Sequence, residues 1–207
     1  KKSISDSLKL KPRSSYDKFL LANDKQNIKD TLKSLGYYSS IIKIEEEITK
    51  NNTVLLNYTI ELGEKAKIIK ISFLGNKIFK DNRLKSLIIS EEYKFWKFIS
   101  GKKFLNQEMV EFDKKLLKNY YLNKGYLNVE INSSFAKLIN KNEFELIYNI
   151  ESNEKIFFGN LNYIIPKDFT ESNFSSLNDI FIKLKETPYS LNKVNKILEE
   201  IDKITTN

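Results

Sequence analysis

The chain has 207 residues, with 35 lysines and arginines against 27 aspartates and glutamates, and it contains neither histidine nor cysteine. The absence of cysteine excludes a disulfide scaffold, a thiolate zinc site and an iron–sulfur cluster, and the absence of histidine excludes the usual serine triad. Carboxylates, lysine and tyrosine are the catalytic groups that remain. We therefore expect a binding or scaffolding protein, not an enzyme, with no catalytic residue, metal or cofactor.

The net charge is +8, and lysine supplies almost all of the positive charge, since Arg13 and Arg83 are the only arginines. Proteins that read nucleic acids favour arginine, whose planar fork donates two hydrogen bonds at once. The lysines here are interleaved with acidic residues, which indicates a solvated, lysine-rich surface. A nucleic-acid-binding α/β repeat module is the alternative interpretation, although the sequence has no Gly-x-x-Gly loop of the kind that clamps single strands.

A hydrophobic fraction of 41 % is sufficient for a folded core, and no apolar run approaches the roughly 18 residues that a membrane-spanning helix needs. Three prolines and six glycines leave no linker of the usual composition, so domain boundaries must be tight. The chain begins at Lys1 without a methionine or a signal-peptide pattern, so we expect an internal segment of a longer protein.

The first third of the chain predicts two helices followed by a hairpin. Residues 3–10 and 24–35 have apolar side chains at helical spacing, and Gly36 ends the second helix. Residues 39–48 and 53–62 alternate apolar and polar side chains, as strands with one buried face do.

The middle of the chain opens with a strand and a short helix. Residues 69–73 alternate apolar and polar side chains, and the Gly-Asn pair at residues 75–76 tolerates the positive φ of a turn. A short helix follows at residues 81–90, with Asp81 or Asn82 as its N-terminal cap.

An aromatic connection leads to a longer helix. We expect Phe95, Trp96 and Phe98 in this connection to pack in a core or between domains, and a groove for apolar peptide side chains is the alternative. Asn106 caps the longer helix, which ends at Gly125 in the left-handed conformation. Residues 127–137 and 144–151 then predict two strands joined by a polar hairpin at residues 140–142.

The last part of the chain predicts a strand at residues 160–164, a helix near residues 173–184 and a second helix that starts at Leu191. The complete unit is therefore strand–helix–helix–strand–strand. The chain divides into a first unit without its first strand, a complete unit and the N-terminal half of a third, at residues 1–66, 67–153 and 154–207.

An internal repeat supports this division. The segment LNYTIE at residues 56–61 matches LIYNIE at residues 146–151, 90 positions later. The pair Gly-Tyr at residues 36–37 matches Gly-Tyr at residues 125–126, 89 positions later. Agreement at nearly one offset indicates tandem copies of a single supersecondary unit.

A sheet of this order leaves the middle strand of each unit, in chain order, at an edge. An open edge offers unpaired N–H and C=O groups to an extended partner, so it is a candidate site for β-augmentation. The candidate protein-binding edges are, in the middle unit, Leu127, Asn128, Val129, Glu130, Ile131, Asn132, Ser133, Ser134 and Phe135, and, in the first unit, Ile42, Lys43, Ile44, Glu45 and Glu46.

The two edges differ in charge. The edge in the first unit carries three consecutive carboxylates at Glu45, Glu46 and Glu47. The alternative interpretation of that charge is protection against edge-to-edge aggregation. The edge in the middle unit carries less charge and is the better docking candidate.

Two segments of the middle unit resemble a known family. They are ISFLGNKIF at residues 71–79 and DKKLLKNYYLNKGY at residues 113–126, with Trp96 between them. Together with the repeat, they resemble POTRA domains, about the second to the fourth, of bacterial outer-membrane protein assembly factors. The resemblance implies an α+β fold of tandem repeats, each with a three-stranded mixed sheet and two helices on one face.

The resemblance also implies a function. It implies the periplasmic portion of a Gram-negative outer-membrane protein, an arm ahead of a C-terminal membrane β-barrel that guides unfolded outer-membrane proteins. It implies docking of assembly-complex lipoproteins, with a BamB-like lipoprotein at residues 127–135. We expect short junctions between units to act as limited interdomain hinges, at Gly63, Glu64, Asn153 and Glu154.

Overall fold

The computed structural model describes residues 4–5, 8–75, 78–96, 101–136, 142–165 and 167–206. Its helices are α1 Lys18–Ser34, α2 Asp81–Lys85, α3 Gln107–Leu122, α4 Ser175–Leu184 and α5 Leu191–Thr206. Its strands are β1 Ile41–Ile48, β2 Val54–Glu61, β3 Lys67–Leu74, β4 Glu130–Ala136 and β5 Glu143–Glu151.

Two sheets organise these strands. β1 and β2 form an antiparallel pair, and the other three strands form a sheet in the order β3-β5-β4. The predicted α+β class, with a mixed three-stranded sheet in the complete repeat, is confirmed. By its internal contacts, the chain forms two compact units, one of Lys1–Ser72, Ile89–Phe112 and Ser134–Ile147, and one of Phe73–Ile88, Asp113–Ser133 and Tyr148–Asn207.

The helix α1 begins earlier than the sequence pattern predicts. Asp17 caps it, since its carboxylate accepts the backbone N–H groups of Phe19 at 2.7 Å and Leu20 at 3.3 Å. The C-terminal end is as predicted, with Gly36 at φ +93°. Burial of Ile28 and Leu32 against β1 and β2 forms the core of this part of the chain.

The predicted helix at residues 3–10 is wrong over its second half. Residues 4 and 5 are helical, whereas residues 8–10 are not. The N–H groups of Lys9 and Leu10 donate instead to the buried carboxylate of Asp24, at 2.7 and 2.9 Å. A buried carboxylate requires donors, and these two amides cannot serve a helix at the same time.

The helix α2 is shorter than predicted, and neither predicted cap forms. It covers five residues and follows Lys80, whose side chain makes no capping hydrogen bond. Beyond Lys85 the hydrogen bonding tightens, because the N–H of Leu87 donates to the carbonyl of Leu84 at 3.1 Å. In contrast, the predicted cap of α3 is confirmed, since Asn106 Oδ1 accepts the N–H of Met109 at 3.0 Å.

The strand β5 is the centre of the second sheet. Its residues Leu146, Tyr148 and Ile150 are fully buried on one face, as their alternation predicts. The hydroxyl of Tyr148 donates to Asp113 Oδ2 of α3 at 2.7 Å, and both residues are inaccessible to solvent. This buried hydrogen bond ties the strand to the long helix.

The C-terminal part of the chain contains helices without the predicted strand. The helices α4 and α5 enclose a core around Phe158, Leu177 and Leu184. Residues 160–164 form no ladder, because no strand among the described residues lies beside them; the pairing nearby is an isolated bridge between Phe157 and Pro188. A strand pattern without a partner strand does not produce a strand.

We predict that the buried hydroxyl of Tyr148 stabilises the fold, whereas that of its counterpart Tyr58 does not. Tyr58 lies 90 positions earlier in the repeat, and its buried hydroxyl has no hydrogen-bond partner among the described residues. Tyr148→Phe should lower the free energy of unfolding by about 1–2 kcal/mol, and Tyr58→Phe should change it by less than about 0.5 kcal/mol. Urea denaturation of both variants measures the difference, and an equal loss in both would contradict the assignment.

Candidate functional site

The strand β4 forms one edge of the second sheet, where the sequence predicts the better docking site. It starts at Glu130, so the predicted start at Leu127 is three residues early. The preceding residues turn instead, and the carbonyl of Asn128 accepts a hydrogen bond from the Asn153 side chain at 2.7 Å. The edge therefore consists of Glu130–Ala136.

The side chains along β4 alternate between core and solvent. Val129, just before the strand, and Ile131 are buried, whereas Glu130, Asn132 and Ser134 are exposed. The outward side chains are polar and carry a single charge. Of the other candidate residues, Leu127 and Asn128 are exposed, Ser133 is half-buried, and Phe135 lies within the strand.

Among the described residues, the outer row of backbone groups on β4 has no partner. The strand has one neighbour in the sheet, β5. Within the described part of the chain, the backbone groups of residues 130–134 make no hydrogen bond beyond that pairing. A strand in this state can accept one further strand without breaking an existing bond.

The opposite edge, β3, is covered by the chain's own residues. The carbonyl of Ile68 accepts the N–H of Tyr93 at 2.6 Å, and the N–H of Ile71 donates to Glu92 Oε1 at 3.0 Å. At the start of the strand, Lys67 forms an antiparallel bridge with Phe104. The aromatic connection thus occupies the edge of β3, a role that its sequence does not reveal.

The other candidate edge, at residues 42–46, lies entirely within β1. Residues 42–46 pair with β2 in antiparallel register, Glu46 opposite Leu56. The carboxylates of Glu45, Glu46 and Glu47 all lie in exposed positions. Tyr16 donates a hydrogen bond to Glu46, and this bond raises the pKa of Tyr16 to about 12. A partner that adds to β1 meets this negative charge.

The predicted hinge residues lie in short, held connections. Gly63 has φ +70° and Asn153 has φ +54°, so the chain reverses at both positions in the left-handed region. Beside the first connection, the main-chain carbonyl of Asn142 accepts the N–H of Lys67 at 2.7 Å. The side-chain amide of Asn142 donates to Glu64 Oε2 at 3.5 Å. The sequence places Asn142 in a hairpin and gives no sign of this contact.

A relay of backbone hydrogen bonds lies at the predicted junction of the first and middle repeats. The carbonyl of Gly36 accepts the N–H of Ala66 at 2.8 Å, and the carbonyl of Ala66 accepts the N–H of Leu105 at 2.9 Å. Gly36 lies so close to Leu105 that a Cβ on it would be 2.5 Å from the Leu105 carbonyl oxygen. Glycine is required here both for its positive φ and for this approach.

A second relay, with different side chains, lies at the predicted junction of the middle and last repeats. The carbonyl of Gly125 accepts the N–H of Ile156 at 2.7 Å, and the carbonyl of Ile156 accepts the N–H of Tyr189 at 2.9 Å. A Cβ on Gly125 would lie 3.0 Å from the Ile156 carbonyl oxygen. The matching Gly-Tyr pairs in the sequence are the one signal that could have located both relays.

The predicted packing of the aromatic connection is wrong for Phe95 and Trp96. Phe95 is 71 % exposed and Trp96 is 60 % exposed, while Phe98 lies outside the described residues. The backbone of this connection is hydrogen-bonded to β3 at Tyr93, just before the two rings.

A search of the described residues finds no group of three or more acidic side chains that could hold a metal ion. In the same part of the chain, no helix has the length and apolar character needed to cross a membrane.

We predict that Gly36→Ala destabilises the protein through the first relay. The substitution forces an L side chain into positive φ and against the Leu105 carbonyl, at a cost of at least about 1–2 kcal/mol. Gly159→Ala is the matched control, because a Cβ there meets no described atom within 4 Å. Guanidinium denaturation compares the two variants, and equal midpoints would disprove the required close approach.

Comparison with known proteins finds one family and a set of relatives. The family model for POTRA, described as surface antigen variable number repeat, matches residues 1–63 and 66–153. The outer membrane protein assembly factor BamA of Buchnera aphidicola is 25 % identical over 205 residues, which are 96 % of this chain and 33 % of that protein. BamA of Neisseria meningitidis is 29 % identical over 99 residues, 47 % of this chain and 12 % of that protein. The chain thus spans a third or less of these relatives.

Among solved structures, POTRA domains 3–5 of Haemophilus influenzae BamA are similar in fold. The TM-score is 0.53 at 14 % sequence identity, with 98 % of this chain and 79 % of that chain covered. This likeness concerns the fold alone, and the position of the present repeats along an arm, second to fourth, stays a prediction.

Proposed function

The chain belongs to the POTRA family, and from that premise we propose that it is a periplasmic scaffold that receives extended segments of unfolded outer-membrane proteins and of partner lipoproteins on the edge of β4. POTRA domains of BamA homologues form the periplasmic portion of an outer-membrane protein, and this chain is such a periplasmic segment. The match to the POTRA family accounts for the repeat, and it gives no support to the alternative of a nucleic-acid-binding module.

The observation that carries this proposal is the difference between the two edges of the second sheet. The edge of β3 is covered in part by Glu92, Tyr93 and Phe104, whereas β4 has β5 as its one neighbour among the described strands. Unpaired backbone groups on an edge bind an extended chain through main-chain hydrogen bonds, which do not depend on side-chain identity. Such a site suits an arm that handles many different unfolded sequences.

The side chains of β4 are compatible with many partners. Asn132 and Ser134 are small, polar and exposed, and Glu130 is the single charge of the strand. An added strand would therefore meet little steric or electrostatic obstruction. The three exposed carboxylates of β1 make that edge a second, charge-selective site, since clients rich in acidic residues would be repelled.

Lipoprotein docking uses the same groups. We place a BamB-like lipoprotein at residues 127–135, as the resemblance implies. An edge has one outer row of N–H and C=O groups, so a lipoprotein strand and a client strand cannot occupy β4 together. Lipoprotein binding at this edge would therefore direct clients to another edge of the arm, of which β1 is one.

The junctions give the arm a defined spacing. In the full-length protein, the arm would precede a C-terminal membrane β-barrel. The backbone relays at Gly36 and Gly125 restrict each junction, and the predicted hinges at Gly63 and Asn153 would allow limited bending. The arm would then present its edges at fixed intervals along the chain.

We predict that one of two neighbouring proline substitutions in β4 abolishes client binding without unfolding the protein. Neighbouring residues of an edge strand direct their N–H groups to opposite sides, so Asn132→Pro and Ser133→Pro remove one outward and one inward donor. The outward variant should keep its melting temperature and bind a fluorescent outer-membrane-protein peptide at least about tenfold more weakly. The inward variant loses a ladder bond and should melt earlier.

Thermal denaturation identifies the outward variant, and fluorescence anisotropy measures binding. Lys43→Pro and Ile44→Pro in β1 are the matched pair for the other edge. If the outward β4 variant melts normally and binds the peptide as tightly as the parent chain, docking at β4 is disproved.

A further inference from the structure

The exposed aromatic pair next to the covered edge has no role in the proposed function. The rings of Phe95 and Trp96 pack edge to face, with centroids 4.7 Å apart. The ammonium group of Lys94 lies over the indole, 5.8 Å from its centroid. With 71 % and 60 % of the two aromatic residues exposed, the pair leaves most of its apolar surface in water. We name Lys94, Phe95 and Trp96 the aromatic tip.

The aromatic tip stands on a fixed base. The N–H of Glu91 donates to the carbonyl of Lys102 at 3.0 Å, and the N–H of Tyr93 donates to the carbonyl of Ile68 at 2.6 Å. The side chain of Glu92 is held by the Ile71 N–H at 3.0 Å. The tip therefore projects from β3 at a position that the sheet determines.

Lysines lie at the tip and at its base. Residues 93–105, YKFWKFISGKKFL, contain four lysines and no acidic residue. At the base, the ammonium groups of Lys67 and Lys103 each lie 5.1 Å from the centroid of the Tyr93 ring. The acidic neighbour Glu92 is hydrogen-bonded to the backbone of β3. Lys103 itself is buried, whereas Lys94 and Lys102 are exposed, so the exposed indole and phenyl rings are combined with two exposed lysines.

We propose that the aromatic tip inserts into the surface of a phospholipid bilayer that carries anionic headgroups. Trp residues favour the headgroup level of a bilayer, where the ring meets hydrocarbon and its N–H stays hydrated. Lysines at this level attract anionic phosphates, and their hydrocarbon stems extend along apolar surface. The proposal rests on the proposed function only in that a periplasmic arm of an outer-membrane protein lies beside such a surface.

An unfolded client is the competing occupant, and the charge and the exposure argue against it. A client docks through backbone groups along an edge, whereas the edge of β3 at the tip is already paired. Rings exposed to this extent do not line a groove that could enclose a client side chain. A fluid surface of phosphates and acyl chains matches both the aromatic surface and the exposed lysines.

Trp96 is the only tryptophan of the chain, so its fluorescence reports on the tip directly. The 207-residue chain is mixed with vesicles of phosphatidylethanolamine and phosphatidylglycerol at 3:1, and separately with vesicles of phosphatidylcholine. We expect a blue shift of the Trp96 emission and quenching by brominated acyl chains with the anionic vesicles. Both signals should weaken in 0.5 M NaCl, because salt screens the lysines.

Matched variants separate the tip from the rest of the surface. Phe95→Ser should weaken partitioning into the anionic vesicles about tenfold, and Lys94→Gln should weaken it several-fold. Phe19→Ser is the control, since Phe19 is 72 % exposed on α1, away from the tip in the sequence, and its loss should leave partitioning unchanged. Partitioning is measured by co-sedimentation, and circular dichroism confirms that each variant is folded.

Three outcomes would overturn the proposal. They are an emission maximum that does not move with anionic vesicles, an equal loss for Phe19→Ser and Phe95→Ser, and a blue shift that requires an unfolded outer-membrane polypeptide instead of lipid. The folded proline variant of β4 should still bind vesicles. Failure of lipid binding is therefore distinguishable from failure of peptide binding at β4.

Discussion

The backbone groups of β3 must be paired, and much of the remaining structure depends on how the chain pairs them. β5 satisfies one side of the strand, and Glu92, Tyr93 and Phe104 satisfy parts of the other. An unpaired buried amide or carbonyl costs free energy comparable to that of a lost hydrogen bond, so these segments are held in place. The same pairing fixes the base of the aromatic tip and brings Leu105 to the first junction. β4 is left as the edge that remains open to a partner.

Main-chain hydrogen bonds also connect the residues at the two predicted junctions. Each relay connects three residues in series: a glycine, the residue before the next strand or bridge, and the residue two positions before the next long helix. The side chains differ between the two relays, Ala66 and Leu105 in the first and Ile156 and Tyr189 in the second. Only the glycine is restricted, because of its positive φ and the approach of a carbonyl. A repeat built in this way can change most of its sequence and retain its joints.

The sequence predicts those features that depend on neighbouring residues. Alternation predicts the buried face of β5, Gly36 and Gly125 predict two helix ends, and Asn106 predicts the start of α3. The repeat adds the order of the elements, and that order places β4 at an edge. Local spacing is sufficient for each of these features.

Local sequence patterns do not predict features that depend on contacts with residues distant in the chain. The buried carboxylate of Asp24 accepts the N–H groups of Lys9 and Leu10, so the predicted helix at residues 3–10 does not extend to these residues. No local pattern indicates this contact. The aromatic character of residues 95–98 suggests that Trp96 packs in a core or between domains, whereas it is 60 % exposed, and no local pattern indicates this. The predicted strand at residues 160–164 needs a partner strand, and a sequence pattern does not supply one.

The central claim is that β4 is the edge that receives an extended chain, whereas β3 is partly covered by the chain itself. Hydrogen–deuterium exchange of the 207-residue chain, with and without an outer-membrane-protein peptide, tests this claim most directly. The account predicts that the peptide slows exchange of amides within residues 130–134 and leaves those of Ile68 and Ile71 unchanged. Protection of β3 or of residues 91–96, with β4 unaffected, would contradict it.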